Sequence, residues 1–400
     1  MSTRALMLVA MPDGWPGPPD LMSVSTAAEI EACPRRWLLG AASYPSLWDQ
    51  RGYPPRPSAA SLGGTVVHLA LEALTKQFVS AGLSSVHGED ATRVLKELGG
   101  FTRVIEKCID DVLADLARNP RASSLVDHVA RTLRGRVADL RASTQSLFVR
   151  MGIRARAGAR WRGRARPRTE LGDGSYSEIE VRCGILLWKG KLDVLHVSDN
   201  ECEIIDFKAG GAQEKHREQV RTYALLWLRD VELNPKGRAA TKLTLAYVKE
   251  DVAVEVPSAS ECDQIARDLA QRRDAAHVAI GAPPGEARPN RENCRYCSVK
   301  HLCDEYWRQP PLDGEAPEFS DFDLVVVGRH SATSWDAQAE FCSISTGPAV
   351  GKAVLLRAAS DLGLTEGARI RIVGAAAIGP MDDGDPFVVS LNSLSEVFVR

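Results

Sequence analysis

Gly190-Lys-Leu-Asp193-Val-Leu-His-Val-Ser-Asp-Asn-Glu-Cys-Glu-Ile-Ile-Asp206-Phe-Lys208-Ala-Gly210 holds two extended runs split by Asp199-Asn200, a pair suited to a two-residue hairpin loop. With those residues as the turn, Ser198 faces Glu201, and counting outward along the antiparallel ladder brings Asp193 opposite Asp206. Facing side chains in such a ladder stand about 5 Å apart at Cβ. Two carboxylates that close repel unless a cation lies between them, and oxygen ligands on a rigid hairpin suit Mg2+ or Mn2+. Strand alternation also puts Lys208 on the face of Asp206, within reach of a water or phosphate oxygen beside the cation. Asp206 interrupts the apolar run Ile204-Ile205-Asp206-Phe207, where an unused carboxylate is costly. The competing reading is a surface hairpin with two solvated acids and a lysine partner.

Outward from the hairpin the pattern is mixed α/β. Residues 65–79 read as a helix with an apolar stripe of Val67, Leu71, Leu74 and Phe78, and His68 and Glu72 share a separate face four residues apart. A shorter helix over 25–39 precedes it, and residues 89–148 are helical in pattern. Strands are expected at 178–187, 191–197, 202–207, 242–248 and 252–256, with helices at 213–229 and 258–280. Gln219 and Tyr223 share a face of the first of these helices. Glu178 or Glu180 on the first strand can supply a further acid, and the pattern does not choose between them.

The 400 residues allow two or three domains, and 44% apolar with 26% charged content excludes a disordered chain or a disulfide mini-protein. Lys and Arg number 50 against 52 Asp and Glu, so any nucleic-acid surface must be local. One basic stretch answers to that: Arg150, Arg154, Arg156, Arg160, Arg162, Arg164, Arg166 and Arg168 occur without an intervening acid, with Trp161 among them. Arg160, Trp161, Arg162 and Arg164 are the expected contacts to phosphates and a stacked base, a solvated loop being the alternative. The first 22 residues lack a signal-peptide core and no apolar run is long enough to span a bilayer, so a cytoplasmic protein without membrane contact is expected. Nine cysteines then fit thiols or a metal site better than disulfides. Cys294, Cys297 and Cys303 lie within ten residues, and Cys33 stands far upstream. By spacing alone such a cluster suits zinc. The other five cysteines are single and suit buried apolar sites, and His301 reads as a bystander in the cluster loop.

The hairpin motif, Gly190 to Asp193 followed by Ile204 to Gly210, resembles the PD-(D/E)XK nuclease superfamily. Gly64-Thr-Val-Val-His68 upstream and Gln219-Val-Arg-Thr-Tyr223 downstream are similar to the histidine and Q-x-x-x-Y motifs of its RecB/AddB-like branch, which includes the CRISPR-associated nucleases. The resemblance covers about residues 22–308. It implies a restriction-endonuclease-like α/β core with a helical insertion and a Mg2+ or Mn2+ site made by His68, Asp193, Asp206 and the Phe207 carbonyl. Lys208 would orient or help deprotonate the attacking water, and Gln219 and Tyr223 would contact DNA or that lysine. It also implies a [4Fe-4S] cluster on Cys33, Cys294, Cys297 and Cys303, with zinc as the alternative. The implied activity is exonuclease or flap-type cleavage of DNA single strands or ends in repair, recombination or defence. A helicase, if needed, would be a separate partner, and a non-catalytic DNA-binding scaffold is the rival function.

The expected domains are a flexible tail over 1–21, the nuclease domain over 22–309, a linker over 310–318 and a small β-barrel over 319–400. Short apolar runs between Gly and Asp turns point to that barrel, which resembles an OB-fold; a docking or packing role competes with oligonucleotide binding.

Overall fold

The computed structural model describes residues 6–48, 52–154, 168–208, 211–311, 319–380, 382 and 384–400. A short strand, β1 (Met7–Leu8), leads to α1 (Val24–Ala32) and α2 (Pro34–Ala41), where one helix was expected. Pro34 is the reason for the break: it has no N–H to continue the helix and starts α2 instead, leaving Cys33 extended between the two. Ser58 then caps α3 (Ala59–Ser80) by accepting from Ser61 N–H. The helical insertion follows as α4 (Glu89–Glu97), α5 (Gly100–Arg118), α6 (Val126–Gly135) and α7 (Val137–Met151).

Next come β2 (Gly174–Cys183), β3 (Trp188–Val197), β4 (Cys202–Lys208), α8 (Glu214–Leu228), β5 (Lys242–Tyr247), β6 (Asp251–Val254) and α9 (Ala259–Ile280). A capping box between Ser258 and Glu261 starts α9. The sheet runs in the order β2-β3-β4-β5-β6, antiparallel except for β4 and β5, which α8 connects as a parallel crossover. Both faces are covered. On one, Leu192, Ile204 and Leu243 pack with Leu225 of α8, Leu269 of α9 and Ile30 of α1. On the other, Val194, Ile205 and Phe207 pack with Leu71 of α3, Ile109 of α5 and Phe148 of α7. Coverage on both sides buries β4 continuously from Cys202 to Phe207, Glu203 and Asp206 included.

Short α10 (Arg291–Arg295) and α11 (Asp304–Trp307) carry the cysteine segment. Six strands follow: β7 (Ser320–Ser331), β8 (Ser334–Cys342), β9 (Ala353–Arg357), β10 (Arg369–Ile378), β11 (Phe387–Ser390) and β12 (Glu396–Val399). Five of them close a barrel in the order β7-β8-β9-β11-β10 and back to β7, with β9 and β11 parallel. Trp335, Phe322, Ile370 and Leu356 fill it.

The amino-terminal residues, expected to trail on the surface, are tied down. Met7 and Leu8 pair with Phe398 and Val399 of β12, Gly14 bridges Ser43, and fully buried Met22 bridges Trp188 at the start of β3. Residues 7–22 thus run from the barrel to the sheet, an arrangement that no local Pro/Gly count registers. Among the described residues no helix is long and apolar enough to cross a membrane.

Candidate active site

The hairpin forms in the expected register: Val197 pairs with Cys202, and the count continues to Val194 and Ile205. There the ladder ends, one position before the two acids. The freed N–H of Phe207 donates instead to Asp193 Oδ2 at 2.6 Å, so Asp193 fills the gap between parting strands rather than facing Asp206 across a ladder rung. On the next strand Asp206 is 3% exposed, with Lys208 Nζ 2.5 Å from its Oδ2. Burial pushes the Asp206 carboxyl up to about 6, the charge of Asp193 adds to the rise, and Lys208 and His68 oppose it. Lys208 also donates to Gln219 Oε1 at 2.8 Å, and Gln219 Nε2 donates to Tyr223 Oη at 2.6 Å, so a chain of bonds runs from Tyr223 through Gln219 to Lys208.

Gly190 makes that alignment fit. A Cβ there would lie 2.7 Å from the ring of Tyr223, so only glycine lets α8 approach β3 this closely.

From the opposite side of the sheet, α3 brings His68, whose Nδ1 lies 3.4 Å from Asp193 Oδ1 and whose ring meets Phe207 edge-on. Burial lowers the His68 pKa, but its bond to Asp193 and the charges of Asp193, Glu178 and Asp206 raise it more, for a net upward shift. His68, Glu178 and Asp193 each offer an atom within 4.8 Å of the others, a group that could hold a metal ion. The tight set therefore contains Glu178, and Asp206 stands beside it engaged with Lys208.

Alternation along β2 puts Glu178 and Glu180 on one face, which is why the pattern left both open. The backbone separates them: Glu178 sits at φ +55°, a left-handed conformation that a non-glycine residue adopts only under constraint. Glu178 pairs with Lys191 at the site, while Glu180 turns to Arg182 and Lys189. Glu72 pairs with Lys76 on its own helix.

His216 was not signalled in advance. It lies three residues before Gln219 on α8, and its Nδ1 is 2.9 Å from the hydroxyl of Tyr247. The i, i+3 spacing to Gln219 was the available clue.

The four cysteines Cys33, Cys294, Cys297 and Cys303 line a single pocket, together with Arg35, Arg36 and Lys300. Burial pushes the thiols of Cys297 and Cys303 up to about 12 and about 11 and raises Cys294 as well. The five single cysteines are all buried, as expected. His301 is fully buried beneath this loop, stacked on Phe398 of the barrel at 3.8 Å between ring centroids. Arg160, Trp161, Arg162 and Arg164 lie outside the described residues. Of the same stretch, Arg150, Arg154 and Arg168 are described, and each is committed to acids: Asp251, Glu201, and Asp230 with Glu232.

The sequence profile of the PD-(D/E)XK nuclease superfamily matches residues 21–304, more than two thirds of the chain. The chain belongs to that superfamily. Asp193, Asp206 and Lys208, and the mixed sheet with helices on both faces, all lie within the matched residues. A comparison with curated proteins finds no match. Among solved structures, "Crystal structure of SSO0001" is similar at 20% identity over 32% of this chain and 59% of that one, with a TM-score of 0.20. The chain thus spans less than two thirds of that structure's length.

Proposed function

We propose that this PD-(D/E)XK protein is a divalent-metal-dependent deoxyribonuclease acting on single strands or DNA ends, with an iron–sulfur cluster in its cysteine cavity. The observation that carries the reading is the meeting of His68, Glu178 and Asp193 beside the Asp206–Lys208 ion pair. Crowded carboxylates with a carboxyl of raised pKa next to them are short of positive charge, and a hard oxygen-rich set suits Mg2+ or Mn2+. The Phe207 carbonyl is the proposed backbone ligand. When bound, the ion polarises the scissile phosphate and makes a water nucleophilic at neutral pH. The side chains do the positioning. Lys208 has two of its three donor directions taken by Asp206 and Gln219, which leaves one for a water or a phosphate oxygen. Tyr223 holds the Gln219 amide so that its Oε1 faces the lysine.

For the cysteines, the likeness to the iron–sulfur members of the branch favours a cluster over a single zinc ion, and all four line one cavity. Four thiolates on a [4Fe-4S] cluster would join segments some 260 residues apart and restrain the open chain. The order of the histidine, Q-x-x-x-Y and cysteine motifs supports the RecB/AddB-like branch. By that likeness cleavage is exonuclease or flap-type, in repair, recombination or defence, with a separate helicase as partner. The barrel is proposed as OB-like because its third and fifth strands are parallel neighbours in the order 1-2-3-5-4. Its β10 packs on the cysteine segment through Arg371, which donates to the His301 carbonyl, so packing rather than oligonucleotide binding is its proposed role.

Anaerobically purified protein with Mn2+ and labelled single-stranded, duplex and flapped DNA tests the activity. Wild type should cut and Lys208→Ala should not; equal product ladders overturn the assignment. The same preparation should be brown and bleach in Cys297→Ser, whereas colourless zinc-loaded protein overturns the cluster.

A further inference from the structure

Lys208 and Tyr247 are register partners on the parallel strands β4 and β5, so their side chains leave the same face of the sheet as Asp206. Tyr247 therefore stands beside the lysine of the motif at the carboxyl edge of the sheet. Its hydroxyl lies 2.9 Å from Nδ1 of His216, with the two rings 6.0 Å apart. His216 occupies the first turn of α8 and shares a helix face with Gln219 and Tyr223, three and seven residues on. One stripe of α8 thus serves the site at two points. Gln219, held by Tyr223, meets Lys208, and His216 meets the next strand over, half exposed at the rim.

The protonation of the imidazole follows from its surroundings. Burial lowers its pKa, and the charges of Lys208 and Lys215 lower it further, so it is neutral at neutral pH. A neutral imidazole has one acceptor and one donor nitrogen. In the tautomer whose Nδ1 accepts from the Tyr247 hydroxyl, the proton resides on Nε2, which is the nitrogen left for a ligand.

We propose that His216, oriented by Tyr247, donates its Nε2–H to a non-bridging oxygen of a phosphodiester next to the scissile one, and so fixes where along the strand the cut falls. The proposal rests on the nuclease reading. A neutral donor suits this place because Lys208 already supplies the positive charge. Tyr247 is a positioning residue, acting through the tautomer it imposes.

The test uses DNA carrying a single methylphosphonate, which removes one non-bridging oxygen, at each phosphate flanking the cut in turn. On unmodified DNA, His216→Ala should lower kcat/KM about tenfold, the scale of one hydrogen bond to a charged group. His216→Gln, which keeps a donor at the same reach, should recover most of the loss, and Tyr247→Phe should fall between. At one position the methylphosphonate should lower wild type to the level of His216→Ala and leave that variant unchanged. Equal rates for wild type and His216→Ala, or effects of mutation and methylphosphonate that multiply at every position, overturn the proposal. Repeating the set as binding in an Asp206→Ala background reads the same contact as Kd. If wild type cuts no DNA while this pattern persists in binding, the nuclease reading fails and the contact stands; if wild type cuts and the pattern is absent from both, the contact fails alone.

Discussion

Asp206 in the nuclease sheet and Glu396 at the start of β12 are buried to nearly the same degree, 3% and 6% exposed, yet their surroundings are opposite. Glu396 meets two guanidinium groups from the nuclease domain: Arg121 bonds both its oxygens, at 2.8 and 2.9 Å, and Arg56 adds a third bond at 2.9 Å. Arg121 also donates to the carbonyl of Ser298 in the cysteine segment, so the pair ties barrel, helical insertion and cysteine loop together. Asp206 pairs with Lys208 and feels His68 more weakly, and it faces the charge of Asp193. The lesson is that burial of an acid does not reveal its role, whereas its neighbours do. An acid matched by cations holds structure, and an acid crowded by other acids is arranged for a cation yet to come.

The largest expected effect comes from Asp206→Asn, which should lower single-turnover cleavage with Mn2+ on the order of a thousandfold, as removal of a preorganised charge at the reacting centre does. The metal-free variant should melt at or above the wild-type temperature, because a repulsion is relieved. A melting temperature well below wild type would make Asp206 another Glu396. The mirror experiment is Glu396→Gln, which leaves Arg121 and Arg56 buried without a countercharge and should cost about 3 kcal/mol in urea unfolding. Its turnover per folded molecule should stay at the wild-type level. Loss of turnover without loss of stability would erase the contrast.

The third effect is one of pH. The Asp206 carboxyl rises from 3.8 to about 6 on folding, so between those values the folded protein binds a proton that the unfolded chain gives up. Stability from this group is present below the unfolded value and is lost as pH rises through about 6. His68, also raised, acts in the same sense: its contribution is present below the unfolded imidazole value and lost above it. Metal-free wild type should therefore lose stability from pH 4 to 6 more steeply than Asp206→Asn, and added Mn2+ should stabilise more at pH 8 than at pH 5. Parallel melting curves across that range for the two proteins would remove the crowding argument. The smallest effect is Gly190→Ala. Its Cβ, 2.7 Å from the Tyr223 ring, should push that side chain off Gln219 and lower cleavage about tenfold through a less well-held Lys208, with metal affinity by titration unchanged.

Much of the site was legible because its parts repeat within single elements. The two-residue turn at Asp199-Asn200 and the period of two set the count from Ser198 and Glu201 outward, and the observed register agrees to Val194 and Ile205. The i, i+4 spacing placed Gln219 and Tyr223 on one helix face, and they do bond each other. The limits fall where the answer depends on a neighbour from elsewhere in the chain. The parting of β3 from β4 at Asp193, which converts a facing pair into a carboxylate bonded to the Phe207 N–H and met by His68 from α3, is not contained in the hairpin count. The left-handed φ at Glu178 is a local exception that no alternation rule contains.

The order of residues along this chain was enough to mark the hairpin, its lysine and the three clustered cysteines, because period and spacing are properties of one segment at a time, whereas the histidine helix and Cys33 were marked by the family resemblance. Only the folded arrangement chose Glu178 over Glu180, drew Met7 and Leu8 onto β12, and seated the barrel on the cysteine segment through Lys300, Tyr306 and Arg371. Those outcomes turn on charges and backbone groups far apart in the chain, whose free energies exist only once the segments have met.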